Sequence, residues 1–293
     1  ENGAGGASDP SNVFNPVIAC LTEITLDHMH LLGNTIEAIT LDKAAIIKPE
    51  TRIAVCGMLN ETARATLLSL ENSRIQIVQM IQRDFSYEIA GQALNYKSRT
   101  REIKDIVPSL AGVHQFQNAA NAIRVAEALS ELGYPINQQA IKVGIKTAHW
   151  PGRLEKFQQH GQALYLDGAH NPFELKILNK SLNVLRLKPK VILLSFASRK
   201  NISDMLAALS FPKALYIVVP SPFQERRQSQ AVVEAAFREA GLQFMYIENV
   251  DAALAEVQAQ LEDGEVGLIT GSLYLVGAVR ALLLDQGHKQ VKE

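Results

Sequence analysis

The 293-residue sequence is short of cysteine and of excess charge of either sign, and these shortages remove whole classes of function. Its two cysteines, Cys20 and Cys56, lie in the apolar runs VIACLTEI and IAVCGML, without a CxxC or a histidine-rich neighbour. That pattern supports neither a disulfide framework nor a zinc site and reads as two buried thiols in a reducing compartment. Lys and Arg total 29 against 30 Asp and Glu, a net charge of −1. There is therefore no broad electrostatic footprint for nucleic acid or an anionic membrane, and an anionic ligand must be held locally. No stretch approaches the ~20 apolar residues of a membrane span. The opening ENGAGGASDPSN is neither basic nor apolar enough for a signal peptide, so a cytoplasmic protein is expected.

What the chain does have is apolar material, 47% of its residues, enough for a large core and for two domains rather than one. Strand-length β-branched runs alternate with amphipathic runs throughout, which predicts an α/β architecture. In a first series PVIACLTEI, TRIAVCG and RIQIVQMI read as strands, with TIEAITLDKAAIIK and ETARATLLSL as helices between them. FSYEIA and ALNYKS suggest an antiparallel ribbon. HQFQNAANAIRVAEALSELG is a strong helix pattern ended by Gly133, and INQQAIKVGIKTA a weaker one. Pro151 and Gly152 in HWPGRLE then mark a boundary. A second series follows, with strands QALYLDGAH, KVILLSFAS, ALYIVVPS, LQFMYIEN and VGLITGS. Each is followed by a helical pattern, as in parallel βαβ units of a Rossmann-like domain.

In parallel α/β domains ligands sit at the carboxyl ends of strands, so polar residues just after apolar strands are the candidates. Gly3, Gly5 and Gly6 in the opening loop allow close backbone approach to a ligand, with Asp9 and Asn12 as polar groups; a plain turn is the alternative. Asp27, His28 and His30 follow the first strand, and a carboxylate with an imidazole there can hold a divalent metal. Lys43, in LDKAAIIKP, reads on its own as a snorkelling surface lysine. In LDGAHNP, Asn171 and Pro172 are explained as a helix cap and first helical residue. Asp167 and His170 are not; they fit a strand-end acid for ribose hydroxyls beside a helix amino terminus that favours phosphate.

In order and spacing, six segments resemble the Mur ligase superfamily and, within it, the folylpolyglutamate synthase and dihydrofolate synthase family. They are ENGAGGASDPSNV, TLDHMHLLGNTIEAITLDKAAIIKP, HQFQNAANAI, WPGRLE, LDGAHNP and GSLYLVG, and they extend over nearly the whole chain. The resemblance implies an α/β fold in two parts. Residues 1–150 would be the remainder of a P-loop-type central ATP- and magnesium-binding domain, and 151–293 the Rossmann-like C-terminal Mur ligase domain.

The resemblance also implies roles. Glu1 and His28 would be magnesium ligands, and Lys43 a lysine carbamoylated by carbon dioxide, whose anionic form makes sense beside cations. Asn118 would read adenine, and Arg153 would reach the ATP phosphates with its planar fork. Asp167 and His170 would contact the nucleotide, and Ser8, Asp9 and Pro10 the pterin side of the other substrate. The implied reaction is ATP-dependent: a substrate carboxylate becomes an acyl phosphate, and the amine of L-glutamate attacks it to form an amide and release phosphate. Magnesium would offset the repulsion between anionic reactants. The partners would be ATP, L-glutamate and dihydropteroate or a folate, with no nucleic acid or membrane, and the enzyme a monomer.

The family's glycine-rich phosphate loop, a GTNGKGS-like sequence, does not occur in these residues. With Glu rather than Met first, the sequence is expected to begin inside a domain, and this chain alone is expected not to catalyse. Ala7 and Ser8 in place of Arg-Leu, Ala45 in place of a glycine and Asn201 in place of an aspartate depart from the family pattern. Two other readings are a Mur-type ligase acting on a different acid and a nucleotide-binding protein without catalysis.

Overall fold

The computed structural model describes residues 5–26, 29–71, 78–159, 161–198, 200–287 and 289–291. The chain divides into two compact units, Glu1–Pro108 with Gln115–Ala148, and Ser109–His114 with His149–Glu293.

The first unit opens with a 3-10 turn at Pro10–Val13, capped by the Asp9 carboxylate, which accepts from the Ser11 amide at 2.9 Å. Its elements are β1 (Ile18–Leu21), α1 (Met29–Leu32), α2 (Ile36–Ala44), β2 (Ile53–Cys56), α3 (Glu61–Glu71) and β3 (Val78–Met80). β4 (Phe85–Ala90), β5 (Ala93–Ser98), β6 (Glu102–Ile106), α4 (Gln115–Glu131) and α5 (Gln138–Thr147) complete it. β1, β2 and β3 pair in parallel in that order, while β4, β5 and β6 form an antiparallel meander. Ala119, Ala120 and Ile123 of α4 pack with Val55 of β2 and with Leu94 and Tyr96 of β5 in one core. This helix is also stapled to the meander through charge. Glu127, buried, accepts hydrogen bonds from Tyr96, Ser98 and Thr100, each at 2.6 Å, and pairs with Arg124 at 3.0 Å. Burial pushes the Glu127 carboxyl up, but those three hydroxyls and Arg124 hold it below its ordinary range.

In the second unit β7 (Glu155–Gln159) and β8 (Gln162–Leu166) form a hairpin, followed by α6 (Pro172–Val184), β9 (Val191–Leu194) and α7 (Ile202–Leu209). β10 (Leu215–Val218), α8 (Gln230–Glu239), β11 (Phe244–Tyr246) and α9 (Val250–Ala259) come next, then β12 (Val266–Thr270), α10 (Leu273–Asp285) and β13 (Lys289–Val291). The seven strands lie in the order β11-β10-β9-β12-β8-β7-β13, parallel from β11 to β8 and antiparallel at β7 and β13. Strand alternation divides the core in two. Ile192, Tyr216 and Leu268 meet α6, α7 and α8 on one face; Val191, Ile217 and Ile269 meet α9 and α10 on the other. Helices on both faces explain why these strands read as continuous apolar runs. The helices that follow the neighbours β8 and β12 lie on opposite faces, so the sheet changes winding there. A ligand crevice opens at the carboxyl end of such a pair.

Two sequence readings need correction. Cys56 is buried, but Cys20 is exposed on β1, an edge strand among the described residues, so only one thiol is enclosed. The helix pattern through LDKAAIIK stops early, because α2 ends at Ala44, placing Lys43 in its last turn.

Candidate nucleotide and substrate site

Asp167 follows β8, and its buried carboxylate organises two turns at once. One oxygen accepts from the Ala169 amide at 2.9 Å and the other from the Leu154 amide at 3.0 Å. The Gly168 amide also bonds the Gly152 carbonyl at 2.9 Å, so the DGAH and PGRLE turns are laced together. Leu154 is held at φ 46°, a left-handed conformation that costs a leucine on the order of 1 kcal/mol. The strained turn is anchored on its other side by Glu155, which accepts from the Gly152 amide at 2.8 Å and pairs with Arg280 of α10 at 3.0 Å. Between these anchors stands Arg153, whose Nη1 lies 2.7 Å from where a Cβ on Gly168 would be. Its cation therefore sits over the DGAH loop. Burial pushes the Asp167 carboxyl up to about 6, against the pull of the two amides and Arg153. The same cation, after burial, holds His114 below the usual imidazole range.

His170 ends the loop. Its Nδ1 lies 3.0 Å from the Gly168 carbonyl and 3.1 Å from a Glu174 carboxylate oxygen. Both neighbours are acceptors, so Nδ1 carries the proton and Nε2 remains for a ligand. Asn171 caps α6 by accepting from the Glu174 amide at 2.9 Å, while Glu174 accepts from the His170 amide, also at 2.9 Å. Across the winding change, Gly271 after β12 donates to the Ala169 carbonyl at 2.8 Å, and Ser272 caps α10. Arg153, Asp167 and His170 are thus brought together at the carboxyl ends of the central strands.

In the first unit a cavity of about 580 Å³ is lined by Gly6, Ser11, Asn12, β1 and its continuation to Ile24, and by Lys43 and Ile46. Gly3 lies outside the described residues, while Gly5 and Gly6 pack closely on Asp42. Gly6 donates to the Asp42 carboxylate at 2.6 Å, and a Cβ on it would meet the Asp42 and Lys43 carbonyls at 2.4 and 2.6 Å. It thus packs against the end of α2 while also lining the cavity. Asp9 caps the turn that begins at Pro10, with Ser8 and Pro10 exposed beside it. Asn118 is exposed near the start of α4, its amide donating to Gln115 at 3.1 Å. Glu1, Asp27 and His28 lie outside the described residues, as does the His30 side chain. No group of three His, Cys, Asp or Glu among the described residues is placed to hold a metal.

The lacing residues Glu155, Arg280 and Asp42 were not singled out from sequence, because their partners are remote in the chain. Glu174 carried a signal: an acid three residues after a cap residue is a helix-start signature.

Residues 152–273, which hold this site, match the family described as Mur ligase, glutamate ligase domain. Folylpolyglutamate synthase of Lacticaseibacillus casei is 33% identical over 290 residues, 97% of this chain and 66% of that protein. The dihydrofolate synthase/folylpolyglutamate synthase of Bacillus subtilis is 30% identical, again over 97% of the chain and 66% of the relative. The chain belongs to the folylpolyglutamate and dihydrofolate synthase family. The Mycobacterium tuberculosis folylpolyglutamate synthase, solved in complex with ADP and AMPPCP, superposes on 96% of the chain and 67% of its own length with a TM-score of 0.80 at 25% identity. The chain spans about two thirds of the length of the synthases it matches.

Proposed function

We propose that this chain is the larger part of an ATP-dependent ligase that joins L-glutamate to dihydropteroate or a reduced folate through an acyl phosphate, in the cytoplasm. The observation that carries this reading is the laced turn of Asp167, Arg153 and His170 at the winding change of a glutamate ligase domain. ATP phosphorylates the substrate carboxylate, ADP leaves, and the amine of glutamate displaces phosphate from the acyl carbon. Arg153, fixed on the DGAH loop, offers a charged planar fork to phosphate oxygens. His170 offers Nε2 to the ribose or phosphate, and Asp167 holds both turns in register besides reaching the nucleotide. Asn118 would read the adenine, and Ser8, Asp9 and Pro10 would face the pterin.

Glu1 and His28, the proposed magnesium ligands, lie outside the described residues, and Lys43, the proposed carbamoyl-lysine beside the metal, is the one whose surroundings are described. Ser11, Asn12 and Glu23 share its cavity, and oxygen donors of this kind suit a hard divalent cation once Lys43 is carbamoylated. A bound cation would neutralise phosphate charge there. Lys43→Ala is expected to abolish ligation, with activity partly restored by a short-chain carboxylic acid standing in for the carbamate.

The deciding assay is phosphate release by the full-length enzyme, dependent on ATP, magnesium and L-glutamate, with dihydropteroate and tetrahydrofolate in parallel. Release with either supports the reading. AMPPCP binding without release from either would point to another acid substrate.

A further inference from the structure

At the same end of the second unit's sheet, the loops after β9, β10 and β12 meet in a rim. The β9 and β10 loops are tied by a bridge between Ala197 and Arg227, and by the Ser198 amide donating to the Arg226 carbonyl at 2.9 Å. The β12 turn rests on the β9 loop so closely that a Cβ on Gly271 would meet the Ser195 carbonyl at 2.8 Å; its φ of 88° also favours glycine. The third contact is aromatic. Phe223 of the β10 loop and Tyr274 of α10 meet edge to face with centroids 4.3 Å apart. The Arg226 guanidinium carbon lies 5.3 Å from the Tyr274 centroid.

Two features set this rim apart from ordinary surface. Phe223 and Tyr274 are 52% and 40% exposed beside the exposed Leu273, an apolar patch at a ligand-bearing edge. Arg226, moreover, like several other arginines pairs with no carboxylate among the described residues, but among those residues it is the one arginine set over an aromatic ring. A guanidinium resting on a ring uses its face there and keeps its N–H edge free and oriented. That edge matches a carboxylate, with two parallel hydrogen bonds. The rim is linked to the Asp167 loop through the Gly271 amide on the Ala169 carbonyl, so an anion held here is anchored to the same framework as the nucleotide residues.

We infer that Arg226, oriented by Tyr274 and Phe223, holds the side-chain carboxylate of the incoming amino acid and thereby selects a dicarboxylic amine such as L-glutamate. This rests on the amide-ligase reading above. Selection follows because an amide in place of the carboxylate leaves the guanidinium without its charged partner.

Calorimetric titration of the full-length enzyme with L-glutamate, L-glutamine and, separately, AMPPCP tests it. Wild type should favour glutamate over glutamine by at least tenfold. Arg226→Gln should weaken glutamate at least tenfold, erase that preference and leave AMPPCP unchanged; Arg226→Lys should recover part of the loss. Tyr274→Leu should weaken glutamate several-fold, and Arg238→Gln, an exposed position in the last turn of α8, should change nothing. Glutamate binding unaltered by Arg226→Gln, equal losses for glutamate and glutamine, or AMPPCP binding without any for glutamate would each overturn the inference and leave the ligase reading standing. Failure of wild type to bind either ligand would overturn both.

Discussion

Asp167 shows how a single carboxylate can serve a site at a cost to the fold. Its ordinary value is 3.8 and burial raises it to about 6, so the folded chain holds this proton more tightly than the unfolded one. Stability from this group is therefore lowest above pH 6 and rises as pH falls toward 4. Between pH 7.5 and 5 wild type should gain about 1.4 kcal/mol relative to Asp167→Asn, in paired denaturation curves; a constant difference would contradict this. Glu127 has the opposite sign. Its carboxyl is held below the ordinary 4.5, so its contribution is present in full above that value and is lost as pH falls from there through the lower value of the folded chain. Glu127→Gln, which leaves Arg124 with less charge to face, should cost the first unit about 3 kcal/mol at neutral pH. At this scale the sequence was informative where chemistry is local. Asp167, His170 and the Asn171-Pro172 cap were visible from their place after an apolar strand. The tie from Glu155 to Arg280 was not, since 125 residues separate the partners.

At the scale of elements, the opening loop and the end of α2 form one piece. Gly6→Ala would press a methyl group into two backbone carbonyls that cannot rotate away, and should cost about 1–3 kcal/mol while displacing Lys43 from its cavity. A thermal melt checks the first effect, and the reactivity of the Lys43 amine toward an acylating reagent the second. The parallel strands of both units were legible from apolar periodicity. β7 and β13, which extend the large sheet antiparallel, were not, because β13 is a three-residue edge strand and β7, next to it, reads as a mostly polar EKFQQ with Phe157 as its one apolar residue. β6 was missed for the same reason: only Ile103 and Ile106 of its residues are buried.

At the scale of the molecule, each unit carries its own core, and in the second unit every proposed contact lies at one end of the sheet. AMPPCP should slow amide exchange at 152–154, 167–171 and 271–275 and leave the opposite strand ends at their free rates. Uniform protection would argue against a site at the winding change. The order β11-β10-β9-β12-β8 was not readable from the sequence, since strand patterns give sequence order and not neighbours, yet that order places the DGAH loop beside Gly271.

The unequal setting of the two cysteines gives the chain a built-in handle. Cys56 is enclosed, while Cys20 is exposed as a residue, with enough packing around its sulfur to push the thiol up. A maleimide dye in mildly alkaline buffer should therefore attach at one position only, on the wall of the Lys43 cavity. Stored without reductant, the chain should slowly form a covalent pair through that same atom, a band on a non-reducing gel that Cys20→Ser removes.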